Sequence, residues 1–303
     1  MTTYSEWLIK DGFVILLFHG VIRAQRHAIR NYTRKHLTLD RFETILRDLC
    51  AHGMPVSLPQ IVDATRAHGA LPPRAFAITF DDGFANNVTV AAPVLKQLQV
   101  PATFYVTTGF VESNGSSWTD MIEYAVERTP EVALELPGSG HTQTISVTRE
   151  EKIALLDEIR RIVKGDPQID PYQFAGEVWR QLGVQAMDVD LELDQKMTWD
   201  QVRALADDPL FTIGGHGQTH RILAFLTADA LEQEITRSLE ALRRHTGAPS
   251  NHYSYPEGLA HCYSEQVIHA LRRQGVLCGV TAEAGVNHVG DDLFRLKRVL
   301  VED

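Results

Sequence analysis

Ala75-Phe76-Ala77-Ile78-Thr79-Phe80-Asp81-Asp82-Gly83 is an apolar run that ends abruptly in two carboxylates and a glycine. An uninterrupted apolar stretch of this length reads as a strand covered on both faces, the pattern of a parallel sheet. Comparable runs lie on either side, Val14-Ile15-Leu16-Leu17-Phe18 before it and Ala102-Thr103-Phe104-Tyr105-Val106 after it. Helical periodicity fills the gaps at about 40–52, where Phe42, Ile45, Leu46 and Leu49 share a face, then at about 59–68 and 88–98. Strand and helix alternating at this short spacing indicate parallel βα units.

Farther along, residues 112–197 break the rhythm. Trp118 to Arg128 has helical character, Pro-Gly-Ser-Gly between alternating segments at 132–147 predicts a hairpin, and Thr148-Arg-Glu-Glu151 has capping-box spacing before a further helix. Alternation then resumes. Thr198-Trp-Asp-Gln201 opens a helix with a second capping box and Phe211 to Ile213 is a short strand. Helix, strand, helix and strand follow at Ala228–His245, His252–Tyr255, 263–274 and Val276–Val280, and Leu296–Val301 is the last strand. The count is about seven βα units, which favours a closed or nearly closed TIM-barrel-like ring over an open sheet. A length of 303 residues suits a single such domain, 1–303, carrying a helical insertion at about 112–197.

Composition narrows the function. With 44% hydrophobic and 22% charged residues the chain is ordinary globular material. A formal charge of −10 and the lack of a dense Lys/Arg run argue against a nucleic-acid partner, which needs a basic stripe to displace counterions. Cys50, Cys262 and Cys278 are odd in number and widely spaced, so neither a disulfide framework nor a cysteine metal site is expected. The first residues lack a basic start followed by an apolar core, and no stretch is long enough for a transmembrane helix. A cytoplasmic protein is the expectation, with its oligomeric state open.

Four strand ends carry residues capable of chemistry. Asp81 and Asp82 are costly to bury ionised without a cation or hydrogen bonds, and they lie at the end of the strand where barrel active sites form. A turn begun at Gly83 can aim both into one pocket, one carboxylate binding a metal and the other acting as a base; alone, the motif also fits a turn that caps a helix. Gly214-Gly215-His216-Gly217-Gln218-Thr219-His220 follows the strand at 211–213. Two histidines four apart lie on one face of a helical turn, and the glycines allow close approach of the backbone to a metal or substrate; alone, the segment also fits an exposed loop. A carboxylate and two imidazoles form a three-ligand set that leaves a coordination position open for water or substrate. His19 closes the first strand, where it can protonate a leaving amine or simply serve as a core histidine. Tyr253-Ser254-Tyr255-Pro256-Glu257-Gly258 has the residues of a tight turn whose N–H groups can face an oxyanion.

Taken together, these motifs resemble the polysaccharide deacetylases of carbohydrate esterase family 4, over about 13–110 and 195–300. Thr-Phe-Asp-Asp-Gly is the most diagnostic, followed by the histidine pair and Pro101-Ala102-Thr103-Phe104. The resemblance implies a distorted (β/α)7 barrel that removes an N-acyl group, usually acetyl, from an amino sugar. It implies Asp81 as general base and Asp82, His216 and His220 as ligands of a divalent metal, usually zinc. It places the oxyanion against a backbone N–H among Tyr255, Pro256, Glu257 and Gly258. Many members carry an Arg before the Pro-Tyr of the fourth motif; here the segment reads Tyr-Ser-Tyr-Pro-Glu, and Arg298 is the candidate to supply that charge from another strand. Many also carry the catalytic acid in a late Leu-x-His motif that is missing here. The subset resembling poly-N-acetylglucosamine deacetylases has an early strand ending in histidine, as in Leu17-Phe18-His19, which makes His19 the candidate acid through a rearranged strand order.

Two other readings share these residues: an amidase opening small cyclic amides, and an inactive sugar-binding module. The first has the same ligands, so Trp118, Asp120 and Tyr124 in the insertion are the candidates to separate it, an aromatic platform being suited to a sugar ring. The complete Asp-Asp and His-His set argues against the second. For a cytoplasmic protein, the expected carbohydrate is an oligosaccharide or a nucleotide- or lipid-linked precursor, and a formyl group in place of acetyl stays open.

Overall fold

The structure, a computed structural model, describes residues 3–137, 142–145 and 147–302. It divides into two compact units, one formed by 1–24, 35–115 and 195–303 and the other by 25–34 and 116–194.

The first unit is the barrel. Its strands are β1 (Phe13–Phe18), β2 (Ala75–Phe80), β3 (Ala102–Val106), β4 (Phe211–Gly215), β5 (His252–Ser254), β6 (Cys278–Val280) and β7 (Val299–Leu300). They pair in the order β6-β5-β4-β3-β2-β1-β7, all in parallel, and Met54–Pro55 adds a short strand beside β2. The ends of that order meet. Leu296, just before β7, bridges in parallel to Val280 of β6, and the Thr281 and Arg298 N–H groups donate across the seam to the Leu296 and Glu283 carbonyls at 2.8 and 3.0 Å. The seven strands thus form the distorted (β/α)7 barrel that the sequence predicts.

Strand parity decides what each face holds. Val14, Leu16 and Phe18 of β1 and Phe76, Ile78 and Phe80 of β2 pack with Phe42, Leu46 and Leu49 of the helix Leu39–His52. Four aromatic rings continue that face from strand to strand, Phe18–Phe80, Phe80–Phe104 and Phe104–Phe211, with centroids 5.1–5.3 Å apart. The alternate residues Phe13, Ile15, Ala75 and Ala77 cluster with Tyr105, Cys278, Val280 and Leu296. Thr79 and Asp81 continue this second parity, so β2 delivers Asp81 to the upper end of the same face.

Of the two capping boxes expected from sequence, Thr198 forms a complete one with Gln201, and Thr148 accepts the Glu151 N–H. Ser57 adds a complete box with Gln60 that the sequence did not announce. The expected helix at 88–98 begins instead as a single π-helical turn, Asn87–Ala91, before the α-helix Ala92–Leu98.

The second unit has its own core, in which Trp118, Ile122 and Val126 of the helix Trp118–Arg128 meet Leu155 and Ile159 of Arg149–Gly165 and Phe174 and Val178 of Pro171–Gln181. Val132–Glu135 and Thr142–Ile145 pair antiparallel as the expected hairpin, and most of its Pro-Gly-Ser-Gly tip lies outside the described residues. Trp118 and Tyr124 are 3% and 5% exposed, and the Tyr124 hydroxyl accepts the Asp188 N–H. Both are core residues, so they do not form the exposed aromatic platform considered from sequence. Segment 25–34 carries no sequence signal for joining this unit. Its Ile29 enters the core, while Glu127 accepts the N–H groups of Ile29 and Arg30, both at 2.7 Å, and Glu123 accepts that of Asn31 at 2.9 Å. Among the described residues no helix is long and apolar enough to cross a membrane.

Candidate active site

The β1–β2 ladder runs one residue past the end of β2: the Asp81 N–H donates to the Phe18 carbonyl at 2.9 Å. The chain then reverses, with Asp82 at φ +74° and Gly83 at φ +80°. A left-handed aspartate is uncommon and requires its surroundings to hold it. Here Gly83 O accepts the Met197 N–H and Ala85 N–H donates to Gln195 O, fixing both sides of the turn. This reversal lets two adjacent carboxylates serve one site, where an extended strand would send them to opposite faces.

Asp82 meets both histidines. Its Oδ1 lies 3.5 Å from His216 Nε2 and 3.2 Å from His220 Nε2, and the three ligand atoms fall within 4.8 Å of one another. Oδ1 is buried yet has no partner in hydrogen-bonding geometry, so three atoms with lone pairs converge on a point without satisfying one another. A divalent cation answers that arrangement, and carboxylate with two imidazoles is a donor set for one. Burial raises the Asp82 carboxyl, but the neighbouring His220 and His216 outweigh it and hold it well below its ordinary range. His220 moves oppositely: burial lowers it, and Asp82 raises it further than burial can.

The histidine segment departs from the expected helical turn. His216 continues β4, its N–H donating to the Val106 carbonyl at 3.0 Å, and Gly217 and His220 take φ +76° and +57° in the irregular turn that follows. The preceding glycines admit neighbouring rings rather than a ligand. A Cβ on Gly214 would stand 2.3 Å from the Tyr105 ring, and one on Gly215 would stand 2.9 Å from that of Tyr253. His216 Nδ1 donates to the Ser254 carbonyl at 2.8 Å, which fixes the tautomer and leaves Nε2 as the ligand atom.

Asp81 is gripped by Arg298. Nη1 and Nη2 donate to Oδ1 and Oδ2, each at 2.8 Å, in a two-point pair. Nε donates to Thr281 O, Nη1 also to Thr79 Oγ1 and Nη2 also to Ser254 Oγ, so all five guanidinium N–H groups are used. Ser254 Oγ in turn donates to Asp81 Oδ2 at 3.0 Å. Oδ2 therefore accepts two hydrogen bonds and Oδ1 one. Burial pushes the Asp81 carboxyl up, and Arg298 with His216 overcomes this and holds it below its ordinary value. Arg298 thus reaches Asp81 from the far end of the chain, and Ser254, which no sequence motif singled out, bonds to both.

His19 stands at the end of β1 with its Nδ1 enclosed and without a partner among the described residues, while Asn87 Nδ2 donates to its carbonyl at 2.8 Å. Burial lowers its pKa below the ordinary histidine value against the opposing pull of Asp82 and Asp81. The expected oxyanion turn needs a correction. The Tyr255 N–H is committed to the Val280 carbonyl at 3.2 Å, its hydroxyl to Phe294 O at 2.8 Å, and Pro256 has no N–H. Neither can donate to an oxyanion. Glu257 follows them at φ +62°.

Comparison with known proteins agrees with this arrangement. No curated protein matches the sequence. Among solved structures, the Streptococcus pyogenes deacetylase PplD in complex with acetate is 16% identical with a TM-score of 0.63, covering 97% of this chain and 93% of that one. IcaB from Ammonifex degensii is 20% identical with a TM-score of 0.62 and the same coverages, 97% and 93%. The BpsB deacetylase domain from Bordetella bronchiseptica is 20% identical with a TM-score of 0.56, covering 96% and 97%. At these identities the likeness is one of fold. The family model for polysaccharide deacetylase matches residues 68–164 and 179–278, a span that includes Asp81, Asp82, His216, His220 and Ser254. On that match, over more than half its length, the chain belongs to the polysaccharide deacetylase family.

Proposed function

We propose that this protein is a metal-dependent hydrolase that removes the N-acetyl group from an amino sugar in a glycan, an oligosaccharide or a sugar precursor. The observation that carries the reading is the junction at Asp81-Asp82. One carboxylate converges with two imidazoles to within 4.8 Å, and its neighbour is held ionised by a buried guanidinium. Family membership supports carbohydrate de-N-acetylation, and the names of PplD and the BpsB domain as deacetylases accord with it.

Asp82, His216 and His220 would hold the ion, zinc in our reading. Such an ion polarises the amide carbonyl and acidifies the attacking water. The chain supplies the proton transfers. Asp81 takes the proton of the water on Oδ1, the oxygen with the smaller share of hydrogen bonds, while Arg298 and Ser254 fix the carboxylate plane. The low pKa of Asp81 keeps it ionised and ready to accept at neutral pH. His19 gives a proton to the departing amine. Asp82 and Asp81 pull its pKa upward, while burial outweighs them and holds it below the ordinary histidine value. A backbone N–H of the turn that follows Tyr255 would face the oxyanion as the tetrahedral species forms.

The test is hydrolysis of N-acetylated chitooligosaccharides and sugar nucleotides by zinc-loaded protein, with small cyclic amides as the contrasting substrates. Acetate release abolished by chelation and by Asp81→Asn is the expected result. Turnover that survives Asp81→Asn, or that is confined to cyclic amides, overturns the reading.

A further inference from the structure

The two histidine candidates for the metal are held by different means. His216 is aimed through its own ring, by the bond from Nδ1 to the Ser254 carbonyl. His220 has no such bond: its Nδ1 is buried and finds no protein acceptor among the described residues. What bears on its ring is Phe110, stacked at 5.9 Å, and its aim otherwise depends on the backbone of residues 217–220. That backbone has few regular hydrogen bonds of its own and two residues with positive φ.

It is clamped from two sides. Thr107 Oγ1 and the N–H groups of Thr108 and Gly109 donate to the carbonyls of His216, Gly217 and Gln218 at 3.1, 3.1 and 2.9 Å. From the other side comes Glu234, on the helix Ala228–Thr246 and 7% exposed. Its Oε1 accepts the Gln218 N–H at 2.8 Å and the Thr219 N–H at 2.6 Å, and the Thr219 hydroxyl lies 3.0 Å from both of its oxygens. One carboxylate therefore satisfies two consecutive peptide N–H groups and a side chain in the residues immediately before His220. Gly217 is part of the fit, because a Cβ there would stand 2.9 Å from Glu234 Oε1.

We infer that Glu234 is a positioning residue for the metal site, setting the loop that aims His220 and thereby the affinity for the ion. The inference rests on the reading of Asp82, His216 and His220 as ligands. Partners that orient ligating histidines typically carry about 10–100-fold in metal affinity. Glu234 reaches the ligand through the backbone where Ser254 reaches His216 through the ring, which gives each histidine one dedicated support.

Zinc affinity and the zinc-induced rise in Tm test it, measured on wild type, His220→Ala, Glu234→Ala, Glu234→Asp and Glu234→Gln. Wild type should bind zinc, and His220→Ala should lose it; failure of either overturns the metal site itself rather than the role of Glu234. Glu234→Ala should bind about 10–100-fold more weakly. Glu234→Asp keeps charge and helix but withdraws the carboxylate by one methylene, so it should weaken binding likewise, and it carries the test if the alanine variant does not fold. Glu234→Gln keeps an oxygen acceptor for both N–H groups and should restore affinity to near wild type. Wild-type affinity in Glu234→Asp, beside a failing His220→Ala, overturns the inference; so does a Glu234→Gln as weak as Glu234→Asp.

Discussion

Arg298 and Asp81 face each other through two parallel hydrogen bonds of 2.8 Å, although 217 residues separate them in the chain. Arg298 immediately precedes β7 and Asp81 follows β2, and neither side chain is more than 4% exposed. Replacing one member of such a buried pair strands the other, a loss of about 3–5 kcal/mol. Arg298→Gln should therefore lower both stability and turnover. Arg298→Lys should recover part of the stability without the two-point geometry, so its kcat should stay depressed. Urea unfolding set beside kcat separates the two effects, and full activity in Arg298→Gln removes Arg298 from the mechanism.

Asp81 and Asp82 should separate cleanly by substitution. Asp81→Asn should abolish acetate release while zinc still binds, because Asp82, His216 and His220 remain. Asp82→Asn, His216→Ala or His220→Ala should each lose zinc as well as activity. Metal content after gel filtration, measured beside turnover, distinguishes the two groups.

His19→Ala should reduce kcat by about 10²–10⁴-fold, the range for loss of a general acid, with metal content unchanged. If the metal is lost instead, His19 is a ligand or a structural support, and the acid lies elsewhere.

Gly109→Ala should disturb the site from a distance. Its Cβ would meet the Gln218 carbonyl oxygen, and because a Cβ is fixed by its own backbone and the oxygen belongs to another stretch of backbone, neither can rotate away. The cost of such overpacking is about 1–3 kcal/mol. The Tm should fall and zinc should bind more weakly, since the displaced peptide leads directly to His220.

The second unit should lose stability in acid through Glu127. Burial raises this carboxyl, but the N–H groups of Arg30 and Ile29 and the ring of His27 more than offset it, so the folded pKa lies below 4.5. Its contribution is then fully present above the unfolded value of 4.5 and disappears as pH falls through the folded one. Asp190, which pairs with the other ring nitrogen of His27, is lowered in the same sense. Stability followed by denaturant unfolding should be level from about pH 6 to 5 and decline below 4.5, and Glu127→Gln should flatten that decline.

The barrel and most of its site were legible because strand ends impose an abrupt change of residue type. Apolar runs stop at His19, at Asp81 and before His216, close to where each chain segment leaves the sheet. Arg298 was legible as a charge the motif lacked, since Asp81 requires a cation wherever it comes from in the chain. Ser254 was not, because a serine among tyrosines carries no sign that its carbonyl, its hydroxyl and a guanidinium all converge. Glu234 left a fainter trace. It shares the apolar face of its helix with Leu231, Ile235, Ser238 and Leu242, where a carboxylate has no business unless something binds it. The left-handed turn at Asp82 and the departure of 25–34 into the second unit depend on contacts far away in sequence, which no local pattern encodes.

The seam between β6 and β7 has a consequence for biogenesis. Arg298 immediately precedes β7, which pairs with β1, so a nascent polypeptide has Asp81, Asp82 and both histidines well before it has the guanidinium. Until that strand docks, Asp81 lacks its counter-ion and the ring lacks its last stave. In this protein, completing the barrel and bringing a counter-ion to Asp81 are one folding event, which waits on a strand pairing distant in sequence.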